Sequence, residues 1–82
     1  MSVYIIVEDG EPYPNSYITY ESALKVANDK HREELDRQIE DMPEYKNQIL
    51  EDMNPKENED GKTSLYIEKG LFIYIYKINM KI

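Results

Sequence analysis

The chain has 82 residues and a formal net charge of −7, with 17 acidic and 10 basic side chains, one His and no Cys or Trp. This length predicts a single domain over residues 1–82, with little surface for a deep catalytic cleft. The lack of Cys excludes disulfides, thiolate metal ligands and a cysteine nucleophile. Neither a signal peptide nor a run of about 20 apolar residues is present, so we expect a cytoplasmic protein that does not enter a membrane.

Charge is segregated along the chain. Residues 1–30 carry a net charge of −3, residues 31–60 carry −7, and residues 61–82 carry +3. A strongly acidic middle repels phosphates and therefore disfavours general nucleic-acid binding. The segregation instead favours a partner protein with a basic surface, or head-to-tail self-association, although simple solvation of the acidic residues is the plainer interpretation.

The first part of the chain has β-type composition. Residues 3–7 are β-branched or aromatic and predict a strand. Residues 8–15 are dense in turn formers and predict a loop. Residues 16–19 return to β-type composition and predict a short second strand that pairs with the first.

The apolar spacing then changes to about 3.5 residues and predicts one helix over residues 20–41. Thr19 is the predicted N-cap, and Glu21 lies in the first turn, where the helix dipole favours an acid. Residues 28–34 contain no aliphatic side chain, so part of this helix is expected to meet solvent or a partner. One face carries the apolar stripe Leu24, Ala27, His31, Leu35, Ile39 and Met42.

Pro43 predicts a break, because it has no N–H to donate and its ring crowds the preceding turn. Asp41 as a cap, followed by Pro43 and Glu44, predicts the start of a second helix that runs to about residue 53. Asn54 and Pro55 end it, and residues 56–61 form a polar loop. Its apolar stripe consists of Met42, Tyr45, Ile49 and Met53.

The last segment predicts a β-hairpin, with strands at residues 63–67 and 71–78 around the loop Glu68-Lys69-Gly70. A three-residue loop, which we expect, pairs Ile67 with Leu71 and Leu65 with Ile73. A two-residue loop would instead place Leu65 and Ile67 on the same side as Phe72, Tyr74 and Tyr76, so the assignment of side chains to the two faces depends on register. The expected register puts the aliphatic residues on one side and Tyr66, Phe72, Tyr74 and Tyr76 on the other.

Together these elements predict an α+β fold of order ββααββ. Its four-stranded antiparallel sheet carries a Pro-broken helical pair on the aliphatic face.

No catalytic group emerges from the sequence. His31 is the only imidazole, and a lone His on a helical stripe is typical of a packing or surface residue. The serines lie in no nucleophile-elbow motif, the carboxylates fit no EF-hand frame, and the three glycines form no phosphate loop. We therefore expect a protein that is not an enzyme and holds no cofactor or metal.

Two features point to binding. The rings of Tyr66, Phe72, Tyr74 and Tyr76 supply large contact area at low entropic cost, unless they only cover the sheet. The carboxylates of Glu33, Asp36, Glu40 and Glu44 recur at a spacing of about 5–6 Å along a helix, close to the phosphate spacing of a single strand. Alternatively, Arg32 and Arg37 neutralise these acids in ordinary ion pairs.

The chain opens with VYIIVEDGEPY, enters its helix at TYESALKVA and closes with YIEKGLFIYIYKI. In these segments it resembles small accessory proteins of virulent bacteriophages that act in host takeover and anti-defence. The resemblance implies an inhibitor of host defence in the host-cell cytoplasm, and it assigns no site residue.

The expected function is that of a small acidic binding protein that inhibits a host toxin, nuclease or other defence enzyme by stoichiometric contact. One alternative is an RNA-associated protein that uses the C-terminal Tyr/Lys hairpin in a ribonucleoprotein complex. A structural homodimer and a nucleic-acid mimic are two further interpretations.

Overall fold

The computed structural model describes residues 1–68 and 70–80. Its strands are β1 (Ser2–Glu8), β2 (Glu11–Tyr17), β3 (Lys62–Glu68) and β4 (Leu71–Asn79). Its helices are α1 (Tyr20–Lys30), α2 (Arg32–Asp41) and α3 (Lys46–Met53), and a single 3₁₀ turn (Pro43–Tyr45) lies between α2 and α3.

The four strands form one antiparallel sheet of order β2-β1-β4-β3. Two hairpins therefore lie side by side, joined through β1 and β4. Helix α1 packs over β1, β4 and β2, while α3 packs over β3. This arrangement confirms the predicted α+β fold with the helices on one face.

The N-terminal loop is shorter than predicted, because β2 begins at Glu11 and includes most of the region assigned to a loop. Asp9 and Gly10 have φ values of 51° and 80°. These are the left-handed angles of a two-residue hairpin turn, for which Asp-Gly is a preferred sequence. Pro12 and Pro14 suggested a loop, but β2 is an edge strand, and an edge tolerates residues without an N–H.

The predicted helix over residues 20–41 is interrupted, which corrects the expectation of one continuous helix. Thr19 is the N-cap as predicted, and its Oγ1 accepts a hydrogen bond from the Ser22 N–H at 3.1 Å. At His31 the backbone leaves helical geometry (φ −109°, ψ 20°), so α1 ends and α2 begins. The interruption falls in the stretch without aliphatic residues, where packing does little to hold a helix straight.

The chain breaks before Pro43 as predicted, but the second helix begins differently. Asp41 is still the last residue of α2, so it does not cap the next helix, and Met42 lies between the two outside helical geometry (φ −134°, ψ 66°). A 3₁₀ turn follows, and α3 starts only at Lys46. Of the predicted apolar stripe, Met53 is fully buried, whereas Met42 and Tyr45 are exposed.

The C-terminal hairpin has the predicted two-sided character. Leu65 pairs with Ile73 as expected, but Glu68 takes the place of Ile67 opposite Leu71, because a bulge follows Tyr66. The predicted three-residue loop is therefore wrong, since Glu68 belongs to β3. Gly70 has φ 84°, and Lys69 of the predicted loop lies outside the described residues. The aliphatic side faces the helices and contributes Leu65, Ile67, Ile73 and Ile75 to the core.

The core combines aliphatic side chains of the sheet with small residues of α1. Its main members are Ile6, Ala23, Ala27, Leu35, Met53, Leu65, Ile67, Ile73 and Ile75. Within the described part of the chain, no helix is long and apolar enough to cross a lipid bilayer.

Two buried tyrosines tie the loop before β3 to this core. The hydroxyl of Tyr4 donates to Oε2 of Glu57 at 2.7 Å, and that of Tyr20 donates to the carbonyl of Pro55 at 2.6 Å. The hydrogen bond to Glu57, together with burial, raises the pKa of Tyr4 to about 12. The two rings meet edge to face at 6.1 Å between centroids. The irregular segment after α3 is therefore held at a fixed position.

Candidate functional site

The face of the sheet opposite the helices is open. Strand alternation places the odd-numbered residues of β1 there, with the even-numbered residues of β4 and of β3 up to Tyr66. We call this surface the open face. Its members on these three strands are Val3, Ile5, Val7, Lys62, Ser64, Tyr66, Phe72, Tyr74, Tyr76 and Ile78.

The four aromatic residues singled out in the sequence come together on this face. Tyr66 and Phe72 are cross-strand partners, with ring centroids 5.4 Å apart in an edge-to-face contact. The rings of Tyr74 and Tyr76 lie 6.2 Å apart. Tyr66 and Phe72 remain 41% and 43% exposed, although they are large and mostly apolar. The sheet thus presents two pairs of contacting rings on one face.

The open face extends further than the aromatic residues alone. Register pairs Val3 with Ile78, Ile5 with Tyr76 and Val7 with Tyr74, so an aliphatic row lies beside the rings. No binding role was predicted for these β1 residues from the sequence. The sequence does show that these residues alternate with Tyr4 and Ile6. Their place beside β4, however, depends on pairing between two segments that are far apart in the sequence.

Charge differs sharply between the two layers. On the three strands that form the open face, the only charged member is Lys62, whose Nζ lies 4.7 Å from the ring centroid of Tyr74 and 5.9 Å from that of Tyr76. Such cation–π contacts fix the lysine over the rings. The acidic residues of the chain's middle segment instead lie on the helices and the long loop.

The predicted acidic row is only partly continuous. Glu33, Asp36 and Glu40 are exposed on α2, whereas Glu44 belongs to the 3₁₀ turn beyond the Met42 break. The regular helical spacing therefore ends at Glu40.

The arginines of α2 do not neutralise this row. Arg37 pairs with Glu34 at 2.5 Å and reaches Asp41 at 4.0 Å, while Arg32 reaches Asp29 at 3.5 Å. Hydrogen bonds from Arg37 and Gln38 lower the pKa of Glu34. Among the ion pairs between described residues, none involves Glu33, Asp36 or Glu40, so their charge is available to a partner.

A polar cluster that the sequence did not predict surrounds Glu8 at the end of β1. Nε2 of His31 and the hydroxyl of Tyr13 lie 2.7 Å and 2.8 Å from Oε1 of Glu8, and Nζ of Lys30 lies 3.6 Å away. Burial would raise the pKa of Glu8, but these hydrogen bonds and positive charges outweigh it and lower that pKa.

The cluster around Glu8 joins β1, β2 and the α1–α2 break. Its side chains already satisfy one another, which suits a structural role. Within residues 1–68 and 70–80, no three His, Asp or Glu side chains gather to form a metal site.

Comparison of the chain with models of protein families, with curated proteins and with solved structures found no match. The chemistry of the surface is therefore the basis for the functional conclusion. That chemistry is an apolar, ring-rich face on one layer and a negatively charged helix on the other.

Proposed function

We propose that this protein is a small binding protein that inhibits a host protein by stoichiometric contact, with the open face as its main contact surface. The observation that carries the proposal is that Tyr66, Phe72, Tyr74 and Tyr76 form one uncovered face. Large exposed apolar surfaces mark interaction sites, because solvent exposure of so many apolar atoms is otherwise unfavourable. The host protein is a toxin, a nuclease or another defence enzyme.

The composition of the open face supports protein contact in particular. Cores of protein interfaces are enriched in aromatic residues and depleted of acids and lysine. The three strands of the open face contribute four rings, four aliphatic side chains and one lysine, and that lysine already contacts two rings. Rings of this kind become hot spots when a partner excludes water from them.

The acidic surface of α2 supports a partner with a basic surface. Glu33, Asp36 and Glu40 lie outside the ion pairs of the described residues and add to a net charge of −7. Charges of one sign on one layer steer an oppositely charged partner and accelerate association, and salt weakens this effect. The open face is thus proposed to supply affinity, and α2 to supply attraction at a distance.

The test is affinity capture from host lysate at moderate salt, with mass spectrometry of the retained proteins. The wild-type chain is expected to retain a saturable partner, and Phe72→Ser with Tyr74→Ser should reduce retention at least ten-fold. Ile18→Ser is the matched control, since Ile18 is 73% exposed but lies outside the strands. Titration calorimetry should then give a fixed stoichiometry, and the partner's activity should fall in proportion to occupancy.

Other outcomes would contradict the proposal. No saturable partner would end it, as would a partner retained equally by the open-face variant. A high ratio of absorbance at 260 nm to 280 nm that nuclease treatment removes would favour the RNA alternative, in which rings of the hairpin stack on bases. A dimer mass that the open-face variant abolishes would identify a homodimer instead.

A further inference from the structure

The two edge strands of the sheet differ in how they are protected from pairing. β2 carries Pro12 and Pro14, which lack an N–H, and such residues discourage the addition of another strand. β3 forms the opposite edge and contains no proline. Whether β3 accepts a strand therefore depends on its outward main-chain groups.

The hydrogen bonds of the hairpin define which groups of β3 point outward. The N–H of Lys77 donates to the carbonyl of Gly61 at 2.8 Å. The main-chain groups of the odd-numbered residues of β3 up to Leu65 therefore point toward β4. In an antiparallel pair the bonding direction alternates with each residue. The N–H and C=O groups of Lys62, Ser64 and Tyr66 accordingly point away from the sheet.

Both ends of this edge are closed by side chains. At Lys62, the N–H donates to Asp60 at 3.0 Å and the carbonyl accepts from Asn58 at 2.9 Å. Beyond Tyr66, the carbonyl of Ile67 accepts from Gln38 Nε2 at 2.8 Å.

The centre of the edge is open. Among the described residues, no side chain forms a hydrogen bond with the outward N–H or C=O group of Ser64 or Tyr66. Two donors and two acceptors therefore remain, on residues about 7 Å apart along the strand.

A groove of about 360 Å³ lies between the helices and the Tyr66 end of this edge, where Gln38 bonds to Ile67. Apolar contact surface comes from Met42, Ile49 and Tyr66, and charge comes from Arg37, Asp41 and Glu68. Two of these three charged side chains are acidic, and Arg37 contacts Glu34 as well as Asp41, so the groove carries a net negative charge beside the acidic surface of α2.

We propose that β3 accepts an extended segment of the partner protein as a fifth strand, with Lys or Arg side chains of that segment in the acidic groove. This inference rests on the proposed function and specifies how the partner docks. Main-chain bonds at Ser64 and Tyr66 would supply affinity, as in other strand-addition complexes, and the groove would select the side chains. A second copy fits poorly, because pairing through β3 would place two acidic helical layers side by side.

The experiment uses the full chain and a displayed library of random nine-residue peptides as the probe. Enriched peptides are expected to alternate basic residues with β-branched or aromatic ones. Ser64→Pro should weaken the best peptide at least ten-fold, because it removes an outward donor and places a ring in the path of the added strand. Ser64→Ala keeps the N–H and should therefore weaken this peptide far less than Ser64→Pro does.

A second measurement covers the case in which Ser64→Pro does not fold. The best peptide is synthesised with N-methyl groups on alternate residues, in both phases of the alternation. One phase should lose binding at least ten-fold to the wild-type chain, since only one set of amides faces β3. On binding of the unmodified peptide, the amides of Ser64 and Tyr66 should become protected from hydrogen exchange.

The outcomes separate this inference from the proposed function. Absence of enrichment, equal binding of Ser64→Pro, or indifference to N-methylation in both phases would overturn strand addition. Enrichment of acidic peptides would overturn the assigned chemistry of the segment. Loss of the cellular partner in the open-face variant, but not in Ser64→Pro, would leave the proposed function standing and reject this docking mode.

Discussion

The two hairpins of the sheet are stabilised in different ways. In the β3–β4 hairpin, Leu65, Ile67, Ile73 and Ile75 are at most 1% exposed. In β2, every residue is exposed or half-buried, and Tyr13 reaches the polar cluster at Glu8. Burial therefore holds the C-terminal hairpin, whereas the outer strand of the N-terminal hairpin has only the partly buried Tyr13 and Tyr17 against the core and depends more on a tight turn and on one carboxylate.

The largest effect is expected inside the C-terminal hairpin. Ile75→Ala should lower the free energy of unfolding by about 2–5 kcal/mol, since it removes buried carbons and leaves a cavity. Phe72→Ala, on the open face of the same strand, should cost about 1 kcal/mol or less, because it loses mainly a cross-strand contact. Urea denaturation followed by circular dichroism measures both. Equal losses would show that the open face is part of the core.

A smaller, pH-dependent effect is expected at Glu8. Its lowered pKa means that the carboxylate stabilises the fold above the ordinary pKa of 4.5, and that this contribution is lost as pH falls through the folded-state value. At neutral pH, Glu8→Gln should cost about 1–3 kcal/mol, and its stability should fall less on acidification than that of the wild type.

Glu11→Gln, across the same turn, is the control for Glu8→Gln and should stay within about 0.5 kcal/mol of the wild type. Denaturation midpoints between pH 3 and pH 7 test the pair. Parallel profiles for Glu8→Gln and the wild type would contradict the role assigned to the carboxylate.

The smallest effect is expected at the turns. Gly10 has φ 80°, and a Cβ added there would meet no atom within 4 Å, so Gly10→Ala should cost about 1–2 kcal/mol from backbone strain alone. Gly70→Ala imposes similar strain in the other hairpin. Hydrogen exchange should show faster exchange across β2 in the first variant and little change in β3 and β4 in the second. Faster exchange across β3 and β4 in Gly70→Ala, with little change across β2 in Gly10→Ala, would contradict the difference between the two hairpins.

The C-terminal hairpin could be predicted because its alternation is strict and its core side is aliphatic. A second strand was predicted at residues 16–19, but its start at Glu11 was missed because Pro12 and Pro14 resemble loop residues. Asp9 and Gly10 nevertheless form a turn that local sequence favours. The interruption at His31 was not predictable from helical periodicity, since it coincides with a contact to Glu8, 23 positions earlier.

The candidate site could be predicted in part. Alternation put Phe72, Tyr74 and Tyr76 on one face, and the expected hairpin register added Tyr66. The aliphatic row of β1 joined that face only through pairing with β4, which no local signal encodes. The open groups at Ser64 likewise depend on which strand lies at the edge of the sheet.

The central position of β1 has a consequence for how the protein is made. Ser2 pairs with Asn79 and Glu8 with Ile73, so the middle of the sheet joins segments that are separated by most of the sequence. Closing so large a loop is entropically costly and slows folding. During translation, β1 can pair with β2 at once, but its other edge stays unpaired until β4 is made and in that interval is exposed to chaperones and to aggregation.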